Sequence, residues 1–140
     1  MSAPRYVPRD LCAEPGSFGK AREVRWLPAT DERSAALGRA ARLQHMYAVR
    51  IRVRAKEITK GIVAPDPTGP LAARPGADAH APLKTLANKS GSSYARLLRC
   101  LRGEIVMRLD DIAWADLVLG EISDARRSAP VGQRPGSSQQ

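Results

Sequence analysis

The residues with the clearest capacity for chemistry are cations. Between positions 83 and 103 the chain carries Lys84, Lys89, Arg96, Arg99 and Arg102 and no carboxylate. The next stretch, 104–121, carries Glu104, Asp110, Asp111, Asp116 and Glu121 against Arg108 alone. Ammonium and guanidinium groups clustered without acids hold anions through charge-assisted hydrogen bonds. The formal net charge of +9 over 140 residues points the same way, toward polyanions such as DNA, RNA or an anionic membrane face.

Catalytic chemistry has less to draw on. Asp110 and Asp111 are adjacent, so on a helix they diverge by about 100° and fit a helix start better than a shared acid-base site. The segment Gly16-Ser17-Phe18-Gly19-Lys20 lacks the spacing of a phosphate-binding loop. Cys12, Cys100, His45 and His80 fall at no metal-ligand spacing, so the thiols are expected to be free and reduced. No enzymatic activity, metal or cofactor is expected.

The elements that must position the cations follow from pattern and punctuation. Residues 1–30, rich in Pro, Gly and Arg, suggest an extended or disordered arm, with 23–27 as a possible edge strand. Thr30, followed by Asp31 and Glu32, suits a helix entry. Ala36, Ala40, Leu43, Tyr47, Ile51, Ala55 and Ile58 recur every three or four residues, which describes one helix face over 31–58. Val49-Arg50-Ile51-Arg52-Val53-Arg54 also alternates with period two, so a strand paired with 23–27 is the alternative there. The Pro- and Gly-rich stretch 61–81 reads as a loop or linker.

Three short helices come next. Pro82 fits a first helical position, and Gly91 turns the chain after Lys89. Ser92 or Ser93 caps a second helix that stops at Gly103. Asp110 and Asp111 open a third, with Leu109, Ile112, Ala113, Leu117 and Val118 as its apolar set. Residues 122–140 are Ser-, Gln-, Gly- and Pro-rich and are expected to be a disordered tail. The fold expected is mainly α: a small bundle of four to five helices spanning 31–121, with a Pro-rich loop and disordered termini. No apolar run approaches the roughly 18–20 residues of a membrane span, and residues 1–9 lack a signal-peptide stretch. A cytoplasmic protein with no membrane partner is expected.

Residues 83–103 follow helix-turn-helix spacing. Leu86 and Ala87 lie on the first helix, Gly91 at the turn, and Leu97, Cys100 and Leu101 on the inner side of the second. Ser93, Tyr94, Ala95, Arg96 and Arg99 then open outward in the first turns, the part of such a helix that reaches base edges. Arg96 is expected to read guanine through its two-pronged guanidinium, and Tyr94 to touch a phosphate or a thymine methyl. Lys84, Lys89 and Arg102 are expected to neutralise phosphates and fix register.

With its closing helix, the stretch 82–120 resembles the phage-repressor (Cro/repressor, xenobiotic-response-element) helix-turn-helix family. The resemblance rests on Leu86-Ala87, Ser90-Gly91, Ser93, Leu97, Arg99, Leu101-Arg102-Gly103-Glu104, Leu109-Asp110-Asp111-Ile112-Ala113 and Leu119-Gly120. Departures are Ser92 and Cys100, where the family has aliphatic residues, and the long loop before Pro82. The resemblance implies a helical bundle that binds double-stranded DNA as a homodimer and serves as a transcriptional regulator, here expected to be a repressor of bacterial or phage type. Trp114, Leu117 and Val118 are the candidate dimer surface. Two other functions fit the same residues: an antitoxin or phage adaptor whose flexible termini contact a protein partner, and a non-specific nucleic-acid binder.

Overall fold

A computed structural model describes residues 6–62, 69–74, 76–78 and 80–119. Four α-helices account for most of it: α1 (Glu32–Thr59), α2 (Ala81–Ser90), α3 (Tyr94–Leu101) and α4 (Leu109–Val118). Short 3-10 turns at Pro8–Leu11 and Pro15–Ser17 precede them. The fold is therefore mainly α, as the sequence pattern requires, and none of the described helices is long and apolar enough to cross a membrane.

The start of α1 is set by Asp31, not Thr30. The Asp31 carboxylate accepts from the Ser34 N–H at 2.7 Å and the Ser34 hydroxyl accepts from the Asp31 N–H at 3.0 Å, a reciprocal cap. The helix then runs through the alternating segment 49–54. Ile51 is buried while Val53 is exposed, so the 3.6-residue period prevails over the period of two.

The inward face of α1 differs from the apolar pattern in its first half. Leu43 is exposed, as are Ala36 and Ala40, and the buried set is Ala41, Gln44, His45, Tyr47, Ala48, Ile51, Ala55 and Ile58. Two of these are polar, and each has a task. Gln44 Nε2 donates to the carbonyls of Cys100 and Ile105, both at 2.8 Å, and its Oε1 accepts from the Met107 N–H at 3.1 Å. One amide thus satisfies three backbone groups of the α3–α4 connection and fastens it to α1.

His45 fixes the N-terminal segment. Its Nδ1 accepts from the Gly19 N–H at 2.9 Å, and its ring meets Phe18 and Trp26 edge-to-face. The extended or disordered arm expected at 1–30 is, over 6–30, packed instead on the helices. Phe18 and Cys12 are buried with Ala41, and the Arg9 N–H donates to the Gly103 carbonyl at 3.0 Å. Gly103 adopts φ +73°, and a Cβ there would stand 2.6 Å from the Phe18 ring. Glycine meets both demands at once. The edge strand expected at 23–27 reduces to one bridge, Cys12 with Trp26.

The main core lies where α1 crosses α2, α3 and α4, with Tyr47, Ile51, Leu83, Leu86, Cys100, Leu101, Ala115 and Leu119 at its centre. The Pro-rich stretch contributes as well. Leu71 is buried, and the Thr85 hydroxyl donates to the Ala72 carbonyl at 2.7 Å. Positions 63–68 of that stretch and the tail 122–140 lie outside the described residues.

Candidate nucleic-acid interface

The hairpin of α2 and α3 is built as its spacing requires. Gly91 takes φ +74° at the end of α2, and the Ser92 N–H closes back on the Ala87 carbonyl at 2.9 Å. Ser93 caps α3 by accepting from the Arg96 N–H at 3.0 Å. Leu86, Ala87, Cys100 and Leu101 are buried between the helices and α1, and Leu97 packs against them. This leaves one outward face on α3, carrying Ser93, Ala95, Arg99 and Arg102, all exposed.

Of the cations expected to read or hold a polyanion, Arg96 is placed differently. Its Nη1 and Nη2 lie 2.9 and 2.7 Å from the two oxygens of Asp111, and the side chains are only 25% and 17% exposed. Asp111 also accepts from the Arg108 N–H at 2.8 Å, at the first turn of α4. Burial alone would raise the Asp111 carboxyl, but the Arg96 hydrogen bonds, the Arg108 N–H and both cations outweigh it and hold it below the usual carboxylate range. The same bonds keep Arg96 firmly protonated. The Nη fork that would meet a guanine edge is thus occupied by a carboxylate of the chain itself. Arg96 is therefore placed as a strut between α3 and α4, turned to Asp111 and away from the outward face where a base-reading side chain is expected.

Tyr94 occupies the opposite flank. Its hydroxyl lies 2.6 Å from His80 Nδ1, and Lys84 Nζ stands 5.6 Å from the ring centre. Burial and Asp78 raise its phenol, against the pull of Arg52 and Arg102. Arg99 and Arg102 reach Glu104 at 3.9 and 4.0 Å, and Arg9 reaches the same carboxylate at 3.8 Å. Three arginines, two of them exposed, share one acid at long range, so this end of α3 keeps a positive surplus. Lys84 and Lys89 lie exposed on α2.

Two residues at this surface were not singled out by the sequence. Arg9 arrives from a segment expected to be unattached. Arg52 falls at the margin of the Ala48–Ile51–Ala55 stripe of α1, where charge acts on it from Arg102 and Tyr94. Arginine next to a buried stripe was the available signal for Arg52. Nothing local marked Arg9.

The closing helix is also rotated from expectation. Asp111 bonds Arg96, and Asp116 accepts from the Tyr47 hydroxyl at 2.7 Å, so two of the three acids of α4 face inward while Asp110 stays exposed. Ala115 and Leu119 are buried, and Ile112, Trp114 and Val118 pack on the core. Leu109 and Leu117 of the expected apolar set are 86% and 62% exposed. Trp114 and Val118 thus belong to the core more than to a dimer surface, while Leu117 stays outside. Among the described residues no group of three or more His, Cys, Asp or Glu is placed to hold a metal. Both cysteines are free and buried, and burial pushes the Cys100 thiol up to about 11.

Comparison with family models, with curated proteins and with solved structures finds no match to this chain.

Proposed function

We propose that the chain is a sequence-specific, double-stranded DNA-binding regulator, acting as a cytoplasmic repressor of bacterial or phage type. The observation that carries this reading is the outward face of α3. A glycine turn and a serine cap present a helix whose exposed side chains beyond the small Ser93 and Ala95 are Arg99 and Arg102, with Lys84 beside them. A major groove about 12 Å wide admits such a helix, and the small residues at its start let the backbone approach the bases. Arg99, not Arg96, is then the residue with a guanidinium available for guanine. Lys84, Lys89 and Arg102 neutralise phosphates on either side.

The similarity of 82–120 to the phage-repressor helix-turn-helix family supports the same reading and adds a homodimer. Leu109, Ala113 and Leu117 form an exposed apolar line four residues apart on α4, and Val106 is exposed in the connection before it. A second copy packing there would supply the second α3 helix that a palindromic operator requires. A partner-binding module of the antitoxin or adaptor kind is the second reading, favoured by this same line.

Selection of bound sites from a random duplex library tests the proposal. Enrichment of a palindromic site, bound by a dimer, is the expected result. Failure of the wild-type chain to bind any duplex at low salt overturns it and leaves the partner-binding reading. Binding without enrichment, tracking salt alone, leaves a non-specific nucleic-acid binder.

A further inference from the structure

Among the described residues two side-chain atoms are buried without a hydrogen-bond partner, Nε2 of His45 and Nε of Arg52, and only Arg52 carries its charge at the candidate interface. Its Nε is shut off from solvent and has no hydrogen-bond partner. No carboxylate among the described residues forms an ion pair with it, and Glu57, one turn further along α1, pairs with Arg54 at 3.5 Å. Charged and titratable groups act on it from α3, namely Arg102 and Tyr94, and Lys56 follows one turn along α1. Burial, and then the like charge of Arg102, both work against its protonated form. Buried polar groups in folded proteins are otherwise nearly always satisfied, and an unmatched one calls for a reason.

The placement supplies one. Tyr94, Leu98 and Arg102 stand four residues apart on α3 and so share one flank of that helix. Arg52 acts on both ends of this line. That flank adjoins the outward face with Ala95, Arg99 and Arg102, and lies away from the Arg96–Asp111 pair. Two guanidiniums from different helices thus stand close enough beside the exposed face of α3 for the charge of one to act on the other, with Lys84 stacked over Tyr94 at the rim. Arg102 has only the shared Glu104 carboxylate at 4.0 Å, and Arg52 has no carboxylate among the described residues.

We propose that Arg52 of α1 and Arg102 of α3 together hold one phosphodiester of the DNA backbone alongside α3. The inference rests on the DNA-binding reading and deepens it, by assigning a phosphate contact to the long first helix. The planar forks of two arginines suit the non-bridging oxygens of a phosphodiester, whose charge removes the repulsion between them. Such a contact fixes register and carries no base preference.

The test compares the full-length wild-type chain with Arg52→Gln and Arg52→Lys, using a labelled duplex of about 20 base pairs at several salt concentrations, with thermal unfolding measured without DNA. Arg52→Gln is expected to weaken binding about three- to tenfold, equally for selected and random duplexes, and to lower the salt slope by about one. Its melting temperature without DNA equals or exceeds that of the wild type, because an unpartnered cation is removed. Arg52→Lys regains part of the lost affinity. An unchanged slope and affinity in Arg52→Gln, with wild-type binding intact, overturns the inference and leaves the DNA reading standing. A melting temperature lowered in both variants makes Arg52 a structural residue and also overturns it. Absence of wild-type duplex binding overturns both. If inorganic phosphate, at matched ionic strength, then raises the wild-type melting temperature but not that of Arg52→Gln, the site belongs to a small phosphate anion instead of DNA.

Discussion

The two flanks of α3 each meet an arginine, and the two arginines are treated in opposite ways. On the α4 side, Arg96 is gripped by both oxygens of Asp111, which itself caps the first turn of α4. On the α1 side, Arg52 has a buried Nε with no partner and the charge of Arg102 for company. One flank is closed by its own chain and holds the bundle together. The other retains an unmatched positive charge, which is the condition for holding something else. A count of basic residues treats Arg96 and Arg52 alike; only the placement of the carboxylates separates them.

The contrast can be broken most severely through Gln44, which keeps the α3–α4 connection against α1. Gln44→Ala strands the Ile105 carbonyl and the Met107 N–H, while the Cys100 carbonyl keeps the Gly103 N–H at 3.1 Å, and unfolding in denaturant is expected to show a loss of about 3 kcal/mol. A loss below about 1 kcal/mol would mean that the connection is held by packing alone. Next in size is the Arg96–Asp111 pair. Arg96→Ala and Asp111→Ala are each expected to destabilise by about 2 kcal/mol, a value reduced for their partial exposure, and the double variant by little more than either. Additive losses in that cycle would show that the two side chains do not depend on each other.

Acid sharpens the comparison further, because His45 and Asp111 titrate in separate windows. Burial holds His45 below the ordinary imidazole range, outweighing the backbone of Arg22 and Ala21, which favours its proton. The unfolded chain thus takes up this proton more readily than the folded one. The stability that His45 contributes is whole above its ordinary value of 6.5 and declines as pH falls toward its depressed folded value. Asp111 behaves alike at lower pH: its contribution is whole above the ordinary 3.8 and is lost as pH falls through its depressed value. Melting curves across this range are expected to show two declines, with the upper one absent in His45→Asn. The smallest effect concerns Glu104, the one acid shared by Arg9, Arg99 and Arg102. Glu104→Gln is expected to tighten duplex binding about two- to fivefold at low salt, with the gain vanishing at high salt. Weaker binding would mean that Glu104 orients the arginines more than it repels DNA.

Much of the helical order was legible from local chemistry. Gly91, Ser93 and Gly103 mark the ends of their helices because a positive φ or a serine cap is a local requirement, independent of what packs nearby. The candidate surface was legible only in part, since Arg99, Arg102 and Lys84 face out as expected while Arg96 does not. Its partner Asp111 lies 15 residues away on another helix, and no periodicity links them. Gln44 and His45 escaped for a different reason. A search for apolar spacing passes over polar residues, yet these two are buried because backbone groups elsewhere need them. The N-terminal segment reads as an arm because Pro, Gly and Arg resist regular structure. Irregular backbone can still pack, and Phe18 finds its place against Gly103, which lies far along the chain.

The central claim is that the outward face of α3 binds DNA while the Arg96 flank serves the fold. Duplex binding by Arg99→Ala, measured by fluorescence anisotropy on the selected and on random duplexes, tests it most directly. Arg99 is exposed and pairs only at 3.9 Å with Glu104, so its removal leaves the melting temperature unchanged. The account predicts a loss of about tenfold or more on the selected duplex, with a smaller loss on random DNA and relaxed preference at one base position. Affinity and preference equal to the wild type, in a chain that still binds DNA, would contradict it.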